Sequence, residues 1–261
     1  MGAVIDERVE DRQIHGEGTP EHAWRGFDVL KRLTPLSIAQ LAPRGSRVVV
    51  VAPHPDDEVL GCGGTLALLA RAGHEIVVIS VTDGEASYPG SIVWTPTLLA
   101  RERALERAKG LDRIGLSLGA LTLGMPDGRV GEQETALVER ICDVLRADDT
   151  LLSTWRRDGH PDHEAAGRAA AAAAARHGCR LWEFPVWMWH WAEVGDPRVP
   201  WRHLRRLALD PDARHRKAHA IAAHDSQLVG PLAEGLAPVL PDWALARLLR
   251  PFEVFIAGDA A

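Results

Sequence analysis

A run of four valines followed by an acidic cluster constrains this chain more than any other stretch. The valines at 48–51 favour a β-strand buried on both faces, because such apolar runs are typical of parallel sheets. Residues 53–58 then read Pro-His-Pro-Asp-Asp-Glu, and the apolar segment after them predicts a helix. A strand, a polar turn and a helix put the turn at the carboxyl end of the strand, where open α/β sheets bind ligands. The stretch therefore predicts a divalent-metal site in this turn.

The composition is that of an ordinary globular protein and excludes several classes of function. The chain has 261 residues, a net charge of −6 and a hydrophobic content of 46%. These values give no reason to expect binding to nucleic acid or to an anionic membrane. Because no apolar run is long enough to span a membrane and the N-terminus lacks a secretory signal, a cytoplasmic protein is expected. Three widely spaced cysteines, Cys62, Cys142 and Cys179, argue against a disulfide framework and a cysteine zinc site.

Predicted strands and helices alternate along most of the chain. Such alternation indicates βαβ units and a Rossmann-like, mainly parallel sheet flanked by helices. We predict a single α/β domain over residues 46–261, preceded by an N-terminal extension over residues 1–45. The predicted strands are 47–52, 75–81, 116–123, 150–154, 180–186 and 251–257, and the predicted helices are 58–72, 95–113, 132–147, 164–177 and 211–223.

Two clusters of histidine and aspartate follow predicted strands. In the first, His54 and Asp57 are three residues apart, a spacing that brings two side chains to one face of a helical turn. Both residue types are good zinc ligands, and Asp56 between them is left for proton transfer. In the second, His160 and His163 are also three apart, and one of them can complete a His-Asp-His set. Three protein ligands with an open fourth position are typical of catalytic zinc.

These paired motifs resemble those of the PIG-L/LmbE-like zinc-dependent N-deacetylases. The resemblance rests on Pro-His-Pro-Asp-Asp-Glu at 53–58 and His-Pro-Asp-His at 160–163. It covers residues 46–186 well and extends more loosely to 227. It implies an LmbE-like fold and a hydrolase that removes an acyl group, expected to be acetyl, from a small N-acylated amino sugar or glycoconjugate. Fe²⁺ is compatible with the same ligands as Zn²⁺, and association into a homo-oligomer is left open.

The resemblance also implies a role for individual side chains. Asp158 stands where some relatives carry a mobile tyrosine. The implied roles are zinc ligation by His54, Asp57 and His163, general-base catalysis by Asp56, oxyanion stabilisation by His160 with Asp162 orienting it, and contact with sugar hydroxyls by Arg101 and Asp127.

A hydrolytic mechanism accompanies these roles. Zinc lowers the pKa of a bound water towards about 7, and Asp56 is expected to remove its proton during attack on an amide carbonyl. Zinc and a protonated His160 are expected to supply the positive charge that the tetrahedral oxyanion needs. Asp56 is then expected to return a proton to the departing amine.

Two further stretches have no assigned chemistry. Four of the nine tryptophans lie within residues 182–191. That segment is compatible with packing in the core or at a subunit contact, and also with a wall of the substrate cleft that includes Trp189 and Trp191. The arginine- and histidine-rich stretch at 202–216 is interpreted as a solvated helix face.

Two other functions are compatible with a βαβ pattern. A nucleotide-binding oxidoreductase is disfavoured, because Gly-Cys-Gly-Gly at 61–64 lies inside the predicted helix. A dinucleotide site needs Gly-x-Gly-x-x-Gly directly after the strand. A non-catalytic binding protein is disfavoured because the full set of candidate metal and catalytic residues is present.

Overall fold

The computed structural model describes residues 12–117 and 119–258 and centres on an eight-stranded sheet. None of the described helices combines the length and apolar content needed to cross a membrane. The strands are β1 Thr34–Pro35, β2 Val48–Ala52, β3 Ile76–Thr82, β4 Ala120–Met125, β5 Thr150–Thr154, β6 Arg180–Phe184, β7 Leu204–Ala208 and β8 Phe252–Ala257. The α-helices are α1 Glu21–Gly26, α2 Asp28–Arg32, α3 Ile38–Leu41, α4 Asp57–Arg71, α5 Pro96–Arg113, α6 Glu134–Val144, α7 Pro161–His177, α8 Met188–Trp191, α9 Pro211–Ile221, α10 Asp225–Leu228 and α11 Asp242–Leu248.

The sheet order is β1-β7-β8-β6-β5-β2-β3-β4. Its neighbouring strands run parallel, except that β8 is antiparallel to both β6 and β7. The prediction of a mainly parallel, Rossmann-like sheet is therefore confirmed. In this order β2 lies between β3 and β5, with Val48 opposite Ile76 on one side and Thr150 on the other. Because parallel neighbours end at the same edge, the turns that follow β2 and β5 are adjacent in space.

The valine run forms the strand that the sequence predicts. Val48 and Val50 point into the core beneath α4 and α9, and Val49 and Val51 point into the core beneath α6 and α7. All four side chains are completely buried, and burial of a valine stabilises a fold by about 1.5–3 kcal/mol. The strand therefore gives the turn after it a rigid base.

The region after β6 departs from the sequence-based expectation. Residues 204–208 form strand β7, and helix α9 begins only at Pro211. Leu204 and Leu207 of this strand are buried in the core, and β8 pairs with the strand along its whole length. The interpretation of residues 202–216 as one solvated helix face is therefore wrong.

The described part of the N-terminal extension packs on the rest of the protein. Trp24 is completely buried and donates its indole N–H to the carbonyl of Trp189 at 3.0 Å. Strand β1 adds a parallel edge to the sheet, with Thr34 opposite Arg205. The boundary at residue 46 stays a prediction.

Candidate metal centre

The two turns that carry histidine and aspartate meet at the carboxyl ends of β2 and β5. His54 lies in the turn after β2, Asp57 is the first residue of α4, and His163 lies in the first turn of α7. All three side chains are buried. His54 Nδ1 lies 3.2 Å from Asp57 Oδ2, which lies 3.2 Å from His163 Nε2, and the two ring nitrogens are 3.3 Å apart. Three donor atoms from two distant parts of the sequence thus form a nearly equilateral triangle.

The triangle has the dimensions of one face of a tetrahedral zinc site. Zinc binds histidine nitrogen and carboxylate oxygen at about 2.0–2.2 Å, so ligand atoms around a tetrahedral ion lie about 3.3–3.6 Å apart. The separations of 3.2 and 3.3 Å in the triangle are close to this range. The donor set therefore fits a tetrahedral ion with its fourth position open.

Carboxylates orient both imidazoles through the ring nitrogens that point away from the triangle. Asp158 Oδ2 lies 2.8 Å from His163 Nδ1. Asp127 Oδ1 and Asp162 Oδ2 lie 3.1 and 3.3 Å from His54 Nε2. Each ring can therefore keep its proton on the outer nitrogen and direct a lone pair into the triangle, the usual arrangement behind metal-binding histidines.

The charges around the triangle favour a cation at its centre. Burial by itself lowers the pKa of His163, but Asp57 and Asp158 outweigh it and raise that pKa to about 9. Burial also opposes charge on His54, yet its contacts with Asp127, Asp162 and Asp57 hold the pKa well above the ordinary value. Because the carboxylates retain positive charge on buried imidazoles, the same carboxylates favour a bound metal cation.

Sequence reasoning assigned no role to Asp158. Its carboxylate is completely buried and accepts hydrogen bonds from the backbone N–H groups of Val186, Trp187 and Met188 at 2.9–3.0 Å. These donors follow β6, so the loop after the neighbouring strand fixes the carboxylate behind His163. The one signal in the sequence is an aspartate five residues before a candidate ligand.

Asp56 is bound by an arginine that sequence reasoning did not select. Arg103 Nη2 donates to Asp56 Oδ2 at 3.0 Å, and Arg103 Nη1 donates to the carbonyl of Gly84 at 2.9 Å and to Ser87 Oγ at 2.6 Å. Both members of this ion pair are buried. The guanidinium compensates the charge of Asp56 and fixes the direction of its carboxylate.

Arg101, the predicted sugar contact, is exposed on α5 and does not line the pocket beside the triangle. Two residues along a helix correspond to a rotation of about 200°, so Arg101 and Arg103 lie on opposite faces. Arg103 shares the buried face of α5 with Leu99 and Leu111. Its i+4 spacing from Leu99 is the signal that favours Arg103.

His160 lies beside both histidines of the triangle, with ring centroids 4.8 Å from His54 and 4.9 Å from His163. Burial lowers the pKa of His160 to about 3, and the two neighbouring imidazoles act in the same direction. This environment favours the neutral ring over the protonated His160 that the sequence led us to expect. Its Nδ1 accepts the backbone N–H of Asp162 at 3.3 Å, so the neutral ring carries its proton on Nε2.

The carboxylate of Asp162 contacts His54, whereas its backbone N–H donates a hydrogen bond to His160. Its oxygens accept the backbone N–H groups of Gly128 at 2.7 Å and Val130 at 3.1 Å. One of them also lies 3.3 Å from His54 Nε2. The contacts of this carboxylate therefore orient His54, which differs from the expected orientation of His160.

A pocket of ≈ 400 Å³, large enough for a small ligand, opens beside the triangle. Asp127, a predicted sugar contact, lines it. Burial by itself raises the pKa of Asp127, but the contact with His54 outweighs it and holds that pKa below the ordinary value. The polar lining is His54, Asp56, Asp57, Ser87, Arg103, Asp127, His160 and Gln227, and the apolar lining is Ile14, Leu60, Pro89, Trp187, Val239 and Leu240.

Both motifs fall within the match to one known family. The family model for PIG-L, described as GlcNAc-PI de-N-acetylase, matches residues 49–174. Residues 49–174 of this chain therefore form a PIG-L domain. The resemblance inferred from the two motifs is thereby confirmed.

Proteins similar in sequence to this chain include sugar deacetylases. The 1D-myo-inositol 2-acetamido-2-deoxy-alpha-D-glucopyranoside deacetylase of Kineococcus radiotolerans is 35% identical over 42% of this chain and 32% of that protein. Diacetylchitobiose deacetylase of Thermococcus kodakarensis is 33% identical over 46% of each chain. The matches thus span less than half of either relative. The structure of N,N'-diacetylchitobiose deacetylase from Pyrococcus horikoshii has a TM-score of 0.63 and 18% identity over 92% of both chains, which shows a shared fold.

Proposed function

We propose that this chain, through its PIG-L domain, is a zinc-dependent N-deacetylase that hydrolyses the acetamido group of an N-acetylated amino sugar or glycoconjugate. The observation that carries the proposal is the triangle of His54 Nδ1, Asp57 Oδ2 and His163 Nε2, of which His54 and Asp57 line a ligand-sized pocket. The names of the two relatives support both the reaction and the class of substrate. Fe²⁺ is the alternative metal, because it accepts the same ligand types.

His54, Asp57 and His163 are the proposed ligands, and Asp56 is the proposed general base. The metal held there supplies Lewis acidity for the amide carbonyl and an acidified water. Arg103 binds Asp56 Oδ2, which leaves Oδ1 to take the proton as the water oxygen bonds to the carbonyl carbon. When the C–N bond breaks, the same carboxyl protonates the departing amine. The products are acetate and the free amino sugar.

His160 is the proposed hydrogen-bond donor to the developing oxyanion. Its Nδ1 accepts the backbone N–H of Asp162, so a neutral ring has an Nε2–H to donate, and such donors stabilise the negative oxygen of a tetrahedral intermediate. Asp162 acts on catalysis by orienting His54. Asp127 is the proposed contact for a sugar hydroxyl, because each carboxylate oxygen has a second lone pair beyond those used by His54 and the Ala86 N–H.

Acetate release from a panel of N-acetylated sugars tests the proposed function. Zinc-loaded protein is expected to release equimolar acetate and free amine from at least one N-acetylglucosamine derivative. A chelator is expected to abolish this activity, and added zinc is expected to restore it. Metal-loaded, folded protein that releases no acetate from any member of the panel contradicts the proposal.

We expect Asp158→Asn to lower metal affinity by about 10–100-fold, the usual effect of losing a carboxylate behind a metal-binding histidine. The amide removes the negative charge beside His163 Nδ1 and has one oxygen instead of two for the backbone donors of residues 186–188. Chelator competition measures the affinity. The exposed Asp148→Asn is the matched control, and equal affinities of the two variants contradict the role assigned to Asp158.

A further inference from the structure

The apolar lining of the pocket includes side chains from three distant parts of the chain. Ile14 comes from the segment before α1, Trp187 precedes α8, and Leu240 precedes α11. Ile14 and Trp187 are half-buried, whereas Leu240 is 3% exposed. Hydrolysis of an acetamido group uses none of these side chains, so their convergence beside the triangle needs another explanation.

The tryptophan-rich segment supplies one side chain to this surface. Trp189 and Trp191 are 4% and 8% exposed and belong to the core. Trp187 instead lines the pocket, and its backbone N–H donates to Asp158 Oδ2 at 2.9 Å. The carboxylate that orients His163 therefore also fixes the backbone from which the Trp187 indole extends.

The segment 12–19 is anchored at both of its ends. Arg12 forms an ion pair of 2.9 Å with Glu164, in the first turn of α7, and the backbone N–H of Gly159 donates to the same Glu164 oxygen at 3.0 Å. At the other end, Thr19 donates its backbone N–H to the carbonyl of His190 at 3.0 Å and its hydroxyl to the carbonyl of Ala192 at 2.7 Å. Ile14 lies between these anchors.

Two glycines allow the segment to approach this closely. At Gly18, where φ is +60°, a Cβ would lie 2.4 Å from the carbonyl oxygen of His190. At Gly159, with φ of +94°, a Cβ would lie 2.5 Å from the carbonyl oxygen of Arg12. A side chain at either position would push the segment away. The position of Ile14 in the pocket lining therefore depends on both glycines.

We infer that Ile14, Trp187 and Leu240 form an apolar subsite that binds a nonpolar group carried by the substrate, and that the segment 12–19 is anchored to complete it. The inference rests on the proposed deacetylase function and narrows its substrate class to amino sugars with an alkyl or aryl substituent. Such a substituent is either an aglycone or the acyl chain itself. In both cases burial against the indole and the two aliphatic side chains favours binding.

Two pairs of substrates test the subsite and locate the nonpolar group. The first pair is the phenyl and methyl glycosides of N-acetylglucosamine, and the second is the N-hexanoyl and N-acetyl forms of methyl glucosaminide. The readout is the ratio of kcat/KM within each pair, measured by amine release. We expect the wild-type chain to favour the apolar member of one pair by at least about tenfold, as apolar pockets do for added carbon groups.

Substitutions then assign that preference to named residues. Ile14→Ser and Trp187→Ala are each expected to reduce the ratio at least about threefold. Gly18→Ala is expected to reduce it as well, because it displaces Ile14 without itself lining the pocket. Leu105→Ser on the exposed face of α5 and Trp94→Ala in a half-buried position outside the pocket are the matched controls, and both are expected to keep the ratio.

The outcomes separate this inference from the proposed function. If the methyl glycoside is hydrolysed but neither pair shows a preference, the subsite is contradicted and the proposed deacetylase function is not. The same conclusion follows if the wild-type chain shows a preference that all three variants retain. Absence of hydrolysis in every case counts against the deacetylase. Calorimetric titration then decides on the subsite: tighter binding of the phenyl glycoside that is lost in Trp187→Ala supports it, and equal binding of both glycosides overturns it.

Discussion

Asp56→Asn is expected to lower kcat on an N-acetyl amino sugar by about 10²–10⁴-fold, the range that a positioned general base contributes. The amide keeps the shape of the side chain and its contact with Arg103, but it cannot take a proton from water. Asp56 is not one of the three triangle atoms, so the metal content is expected to stay at the wild-type value. Steady-state kinetics on the metal-loaded variant measures the effect, and elemental analysis measures the metal.

The control for this experiment is Asp143→Asn, the same change at an exposed position on α6. It is expected to leave kcat unchanged. If Asp56→Asn with full metal content keeps more than about a tenth of the wild-type kcat, Asp56 is not the base. A parallel loss of metal in this variant would instead assign Asp56 to metal binding.

His163→Gln is expected to remove metal binding and, with it, deacetylation. Glutamine preserves much of the side-chain volume but lacks the imidazole nitrogen that lies 3.2 Å from Asp57 Oδ2. The metal content is expected to fall from about one ion per chain to below about a tenth, because a catalytic site with two protein ligands is outside the usual set of three. Elemental analysis after dialysis gives the content, and acetate release is expected to fall to background.

His177→Ala, at the opposite end of the same helix α7, is the control for that variant. It is expected to keep both metal and activity. Circular dichroism establishes whether His163→Gln is folded, so that loss of metal is separated from loss of structure. A folded His163→Gln protein that binds metal with wild-type affinity contradicts the proposed ligand set.

The fold was predictable because its signals are local and repeated. The buried strand at 48–52, the helix that follows it and the later βα units each carry their own apolar pattern. Strand β7 was not predicted, because its Leu-Arg-Arg-Leu sequence lacks the strict alternation of apolar and polar residues that is typical of a strand. Its pairing with β8 also depends on a segment much later in the chain.

The candidate site was predictable only in part, for a reason that Arg101 and Arg103 illustrate. Both arginines lie on α5, two residues apart, and motif comparison selected the first. The helix directs Arg103 to Asp56 and leaves Arg101 exposed. The direction of a side chain depends on how its helix is rotated against the sheet, which a short motif does not specify.

By itself, the sequence determined that this chain is an α/β protein with two histidine–aspartate turns at strand ends, since both follow from residue type and short spacing. Tertiary structure alone decided that β2 and β5 are neighbours, which brings His54 Nδ1, Asp57 Oδ2 and His163 Nε2 within 3.3 Å of one another. It also decided the buried environment of His160 beside two other imidazoles and the contact of Asp158 with His163, because segments distant in sequence form both. The convergence of Ile14 and Trp187 on one pocket has the same origin, since only packing brings segments so distant in sequence together.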